Sequence, residues 1–283
     1  MTAPLADVPL ATVAAALVVY PVKGCAGVAV DALALDARGG AHGDRRWAIV
    51  DEQGHVTWQG SHPRLALVRP EPRGPALALH APGAAPLGVD AQALRPCTVA
   101  IWNDATARHD DCAASDAGPT AAAWLRALTG AGLRLVRLGD AACARPGANA
   151  LHIVFGDSAA AIDAALAARG HAAADVARYR PNIVLRAAAG AQLDPFIEDF
   201  AQALAWRGRD GDFTLDVTAP CVRCVVPNVD PGSAEVGTHT LRALEDASQA
   251  RRPGGPTTFG IYAQGPAGAR LRVGDEALLE LRF

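Results

Sequence analysis

From residue 13 to residue 102 glycine and proline cut the chain into short apolar runs, and this punctuation restricts the fold more than any other feature. VAAALVVYPV and GVAVDALAL carry β-branched residues in near-alternation, the mark of half-buried strands. A GGAHGD turn leads into RRWAIVD, and DEQG reads as a tight turn before two further short strands, HVTWQ and LALVRPEP. The series closes at CTVAIW. A wound α/β sheet needs a helix after nearly every strand, and these intervals leave no room for one. The segment therefore reads as a β-barrel or sandwich.

Helical patterning is confined to a few places. GPTAAAWLRALTG places Thr120 near a helix start and Gly130 just past its end. RLVRL follows as a strand, and residues 138–149 (LGDAACARPGAN) have loop composition, which makes them the expected domain boundary. A second unit opens with LHIVF and the helix DSAAAIDAALAARG, for which Asp157 or Ser158 suits the N-cap. RPNIVLR, FTLDVTAP, CVRCVV, FGIYAQ and LRVGDEALLELRF continue as strands, with one more helix near THTLRALEDASQA. The expected fold is mainly β with peripheral helices, an α+β arrangement of two units over residues 12–137 and 145–283. The chain shows no internal repeat and no glycine-rich phosphate loop.

Charge and length narrow the class of function. A net charge of −3 and a pI near 6.2 argue against nucleic-acid binding, which calls for a basic surplus. The apolar run ATVAAALVVYPV is broken by Pro21, is too short to span a bilayer and has no positive residue ahead of it. Six cysteines in 283 residues are too few for a disulfide scaffold. A reducing, cytoplasmic setting without membrane attachment is expected.

The stretch TAPCVRCVVPNVDPG carries the only close cysteine pair, Cys221 and Cys224. Zinc asks for four ligands, usually two close pairs or a pair with histidines, and the other cysteines are isolated. A redox dithiol usually sits at a helix N-terminus, which the Val-Val and Pro-Asn after Cys224 oppose. Two buried core cysteines remain open. So does a single thiolate at a strand end, supported by Arg223, as one ligand to a soft metal. In that case a cofactor or other side chains must supply the rest of the coordination sphere.

The basic residues suggest which. Of 26 basic side chains 25 are arginine, and the one lysine is Lys23 in YPVKGC. Lys23, the Asp44-Arg45-Arg46 cluster, Arg180 and Asn182 fall at ends of expected strands. Each alone reads as a solvated strand-end group. Together they offer an ammonium and planar guanidinium forks to an anionic phosphate or pterin.

Five pieces in order, YPVKGCAGV, GDRRWAIVDEQG, RYRPNIVL, PCVRCVVPNVDP and FGIYA…VGD, span nearly the whole chain. The set resembles the MOSC-domain molybdenum enzymes that carry an N-terminal β-barrel domain, the group of the mitochondrial amidoxime-reducing component and its bacterial relatives. The resemblance implies an N-terminal MOSC-type barrel, a MOSC core barrel and a molybdenum cofactor (Mo-molybdopterin), with no requirement for pyridoxal phosphate. It makes Cys224 the protein ligand to the metal and the catalytic residue. Lys23, Gly24, Arg45, Arg180, Asn182, Val222, Arg223 and Tyr262 become cofactor-binding residues. Relatives carry a polar loop where this chain reads GANA, and Asn149 is the residue there that replaces one of its hydrogen bonds.

The implied activity is an oxidoreductase that cleaves the N–O bond of small N-hydroxylated compounds, with Asp230 a weak candidate for the proton donor. The chain ends shortly after VGD, so electrons are expected from a separate ferredoxin-, flavin- or cytochrome-type protein. The alternative is a MOSC-type carrier of sulfur or of the cofactor, with Cys224 as a persulfide site.

Overall fold

The computed structural model describes residues 10–103, 106–145 and 150–282. Its larger sheet is a closed barrel. Around the barrel the strands run Ile183–Ala187, Leu151–Phe155, Thr258–Gln264, Gly211–Val222, Ala201–Gly208, Glu276–Leu281 and Leu10–Val19, and the last pairs back onto the first. Closure leaves these seven strands without a free edge. Neighbours are antiparallel except Leu151–Phe155 with Ile183–Ala187, a parallel pair that requires a long crossover. Helix Gly156–Ala167 lies within that crossover and covers the barrel with helix His239–Arg251. Inside, Leu17, Phe155, Leu185, Leu204, Trp206 and Leu279 form the core.

Sheet pairing crosses the sequence boundary. Leu10–Val19 lies at the start of the chain, yet it closes the barrel built by the second half, pairing Leu17 with Ile183 and Leu10 with Leu279. The remainder of the first half forms a four-stranded sheet of Trp47–Val50, Arg134–Leu138, Arg108–Asp116 and Arg95–Asn103, and a three-stranded one from Arg69 to Val89. Helix Pro119–Thr129 packs Leu125 and Leu128 into their shared core beside Ile49, Leu79 and Leu135. Gly130 ends that helix in the left-handed conformation at φ 75°, as its position in the sequence implies.

Four local expectations are corrected. HVTWQ forms isolated bridges at His55 and Val56 and then a loop, because its strand-like composition has no full-length partner. The LAL of LALVRPEP lies in the 3₁₀ turn Pro63–Leu67, and the strand begins only at Arg69. Residues 138–149 are not all loop, since Asp140–Cys143 is a short helix. Phe155 occupies the N-cap of the next helix, and Ser158 turns inward to donate to Glu198 Oε2 at 2.7 Å.

Candidate functional site

The site forms where the barrel meets the first half of the chain. After Val19 the backbone leaves the barrel and runs beside Arg45-Arg46-Trp47. Arg45 N donates to Tyr20 O at 2.7 Å, Trp47 N to Pro21 O at 2.9 Å and Lys23 N to Trp47 O at 2.8 Å. The YPVKG and GDRRW segments are thereby zipped together. Buried Asp44 locks the junction, accepting from Tyr20 N at 2.6 Å and pairing with the Arg45 guanidinium.

Tyr20 is buried beside two cations. The Arg45 guanidinium lies 5.4 Å from its ring centre and that of Arg180 lies 4.3 Å away, an arrangement the negative ring face favours. Burial pushes the Tyr20 hydroxyl up to about 12, against the pull of Arg180 and Arg45. Of the five non-glycine residues with positive φ among those described, two are Arg45 (50°) and Arg180 (58°). Backbone strain of this kind persists only where the surroundings enforce it, and here it aims both guanidinium groups at one place.

Arg180 Nη1 donates to Cys25 O at 2.6 Å, but its Nη2 is buried with no hydrogen-bond partner among the described residues. Burial, joined by nearby Arg45, lowers the Arg180 pKa. A buried N–H of a cation that finds no acceptor among the described residues is costly, and an anionic ligand is one group that would satisfy it. Lys23 is half-buried on the same segment, and Gly24 beside it holds φ +84°, a backbone conformation that a side chain would strain. The Lys23-Gly24 backbone therefore lies at the same junction as the two arginines, since Lys23 N bonds Trp47 O two residues from Arg45 and Arg180 Nη1 bonds Cys25 O two residues from Lys23.

Asn182 lies nearby but its amide is engaged elsewhere. Its Oδ1 accepts from His152 N at 3.1 Å and its Nδ2 donates to Val18 O at 3.1 Å, while its own backbone bonds both strands. It is fully buried and ties together the three strand ends that carry the site. Asn149 lies outside the described residues.

Burial alternates along the cysteine segment. Cys221 is buried, Val222 exposed, Arg223 half-buried and Cys224 exposed. Successive extended residues face opposite sides, so the two cysteines point apart. All six cysteines are free thiols. Among the described residues no cluster of three or more His, Cys, Asp or Glu is arranged to hold a metal by itself. Cys224 and Val222 face outward together, and the side chain of Arg223 turns inward instead. Its Nη1 lies 3.1 Å from Cys221 Sγ and 3.4 Å from His152 Nε2, and its Nη2 donates to Tyr179 O at 3.1 Å.

This inward cluster was hidden in the sequence. His152 stands in LHIVF as an ordinary strand residue, but its Nδ1 is 3.2 Å from Arg180 O and its ring packs 5.5 Å from that of Tyr262. Gly260 permits the approach, since a Cβ there would meet Ile153 O at 2.5 Å and His152 Nε2 at 2.8 Å. Burial opposes ionisation of the Cys221 thiol. The imidazole of His152 and the guanidinium of Arg223, aided by hydrogen bonding from His152 and Tyr262, nevertheless bring it below the ordinary thiol range. Burial and the neighbouring sulfur raise the Tyr262 hydroxyl in turn. Only the glycine two residues before Tyr262 hinted at this close packing.

Asp230 is held as a turn former. Its Oδ1 accepts from Gly232 N, Ser233 N and Ser233 Oγ, and its Oδ2 accepts from Arg178 at 2.6 Å. Burial works against its charge, yet these donors keep the carboxyl below the usual range, where it has no proton to give.

Comparison with known proteins places this geometry among relatives. A model of the MOSC N-terminal beta barrel domain matches residues 11–131, and one of the MOSC domain matches residues 135–277. Mitochondrial amidoxime reducing component 2 of Bos taurus is 27% identical over 91% of this chain and 80% of its own length. Mitochondrial amidoxime-reducing component 1 of Homo sapiens is 26% identical over 94% of this chain and 82% of its own. Molybdenum cofactor sulfurase of Drosophila mojavensis is 28% identical over 87% of this chain but only 31% of its own length.

Proposed function

Because this chain belongs to the MOSC family, with a MOSC N-terminal β-barrel domain ahead of a MOSC domain, we propose that it holds a molybdenum cofactor and reduces small N-hydroxylated compounds. The observation that carries the reading is the unsatisfied Nη2 of Arg180, buried beside Tyr20 and Arg45 next to the Lys23-Gly24-Cys25 segment, in a chain whose Cys224 is exposed. The relatives named for amidoxime reduction supply the substrate class.

When bound, the cofactor supplies two-electron removal of oxygen from nitrogen. The chain's own residues bind and orient. Lys23 and the Arg45 and Arg180 guanidinium groups neutralise the phosphate and pterin, each charge-assisted bond contributing roughly 1.5–3 kcal/mol. The Tyr20 ring lies within reach of both guanidinium groups, 4.3 Å from that of Arg180 and 5.4 Å from that of Arg45. The Cys224 thiolate is the single protein ligand, presented outward because Cys221 and Arg223 anchor the alternate residues of its strand end. Among the described residues no helix is long and apolar enough to cross a membrane.

Protein from molybdenum-replete cells is the material for the test. About one molybdenum per chain, with turnover of an amidoxime under an artificial electron donor, is the expected result. The match to a molybdenum cofactor sulfurase favours a second reading, in which exposed Cys224 carries sulfur as a persulfide. Sulfane sulfur on the protein without molybdenum would establish that reading and dismiss the first.

A further inference from the structure

We propose that the seam between the two halves of the chain is a second binding site, one that takes a small monocarboxylate with an apolar body. The inference goes beyond the reductase reading and does not depend on it.

Where the barrel meets the sheet that holds Trp47–Val50 and Arg134–Leu138, a cavity of about 660 Å³ opens. Its walls come from both cores. Leu33 belongs to the barrel core, with Val19 and Val30 packed against it, whereas Trp47 and Leu77 belong to the core of the first half. Neither core fills the gap, so apolar side chains of both face a space of the size that holds a small ligand. The cavity is separate from the proposed cofactor cradle. Val19 and Pro21 line it but Tyr20 between them does not, and Arg46 and Trp47 line it but Arg45 does not. Successive residues of an extended segment face opposite sides, so the zipped YPVKG and GDRRW segments present one face to each site.

Charge selects the ligand. Four guanidinium groups stand around the cavity, those of Arg38, Arg46, Arg137 and Arg270, against the two carboxylates of Asp36 and Asp140. Arg46 Nη1 lies 2.9 Å from Asp140 Oδ1, and Arg38 Nη1 lies 3.9 Å from Asp36 Oδ2. These two pairs cancel. Half-buried Arg137 and exposed Arg270 form no ion pair and no side-chain hydrogen bond among the described residues. They stand one on each side of the seam, Arg137 in register with Trp47 and Arg270 in register with Ala34, next to Leu33. The chain as a whole carries a net charge of −3, so this local positive surplus runs against its average. A guanidinium fork matches the two oxygens of a carboxylate, and the apolar walls take the rest of the molecule. Asp36 and Asp140 in the same lining weigh against a doubly charged phosphate.

Calorimetric titration of the full chain with decanoate tests the site. One molecule should bind per chain, and affinity should rise about fourfold for each methylene added from butyrate upward. Acetate and decyltrimethylammonium should not bind measurably. Arg137→Gln and Arg270→Gln should each weaken decanoate binding about tenfold, and the double variant about a hundredfold. Melting temperatures should stay close to wild type, because neither side chain holds a partner in the fold. Failure of decanoate to bind one-to-one, or binding that the double variant leaves intact, overturns the inference. Affinity independent of chain length would show an anion held without its apolar body and overturns it equally. Tighter binding of decyl phosphate than of decanoate overturns the choice of a carboxylate. The readout is binding rather than turnover, so the reductase reading stands or falls separately.

Discussion

Arg223 directs its guanidinium at the sulfur of Cys221, with Nη1 and Sγ 3.1 Å apart, although its sequence position places it next to the outward-facing Cys224. The inner cysteine is therefore an acceptor for a half-buried cation. Cys221→Ala removes that acceptor and should destabilise the protein by about 1–3 kcal/mol. Cys221→Ser keeps an oxygen in place and should cost distinctly less. Urea unfolding of both variants checks the order, and equal stability would dissolve the pairing.

Cys224→Ser should behave differently. The side chain is exposed, and apart from its proposed bond to the metal the fold has no use for it. Melting temperature of the cofactor-free protein should stay within a degree or two of wild type, since exposed substitutions usually shift stability by about 0.5 kcal/mol or less. Reduction of amidoxime should be lost. A Cys224→Ser variant that retains turnover would remove this residue from the chemistry.

Arg180→Lys keeps the charge but loses the fork that reaches both Cys25 O and the unsatisfied Nη2 position. Cofactor content after purification should fall, by an amount corresponding to roughly 1.5–3 kcal/mol of binding. Metal analysis with pterin fluorescence reads this directly. Full occupancy would mean that the Nη2 of Arg180 does not meet the cofactor.

Asn182→Ala tests a structural role against a cofactor-binding one. Both ends of the amide hold backbone groups of neighbouring strand ends, and the residue is fully buried. The substitution should lower the stability of cofactor-free protein by about 1–3 kcal/mol. A variant as stable as wild type without cofactor, but poor at retaining it, would return Asn182 to the ligand's surroundings.

Glu198 links stability to pH. It is almost fully buried, accepts from Ser158 Oγ at 2.7 Å and has no partner for Oε1 among the described residues. Burial pushes its carboxyl up to about 7 from 4.5. Between those values the folded protein keeps a proton that the unfolded chain releases. The stabilisation is complete below pH 4.5 and is lost as pH rises through 7, a change of about 3 kcal/mol. Glu198→Gln should flatten that decline in urea titrations between pH 4 and 8.

The β-rich class and the helices at Pro119–Thr129 and His239–Arg251 were legible in the chain, and Arg45 and Arg180, singled out there, both lie against the Tyr20 ring. Glycine and proline spacing limits element length locally, and ordered motifs report which strand ends meet. Strand pairing was not legible. HVTWQ has strand composition but no full partner, and Leu10–Val19 closes a barrel whose other strands lie more than 130 residues away along the chain.

Sequence alone determined the chemistry offered to the proposed site, one cysteine of CVRC and a set of scattered cations, because residue chemistry and order are local properties. Tertiary structure decided which way each group points. Arg223 turned to Cys221, the Asn182 amide went to Val18 and His152, and Trp58 came to rest beside Val225. In a closed barrel the register between distant strands sets whether a side chain faces inward or outward, and a shift of one residue would exchange the two faces.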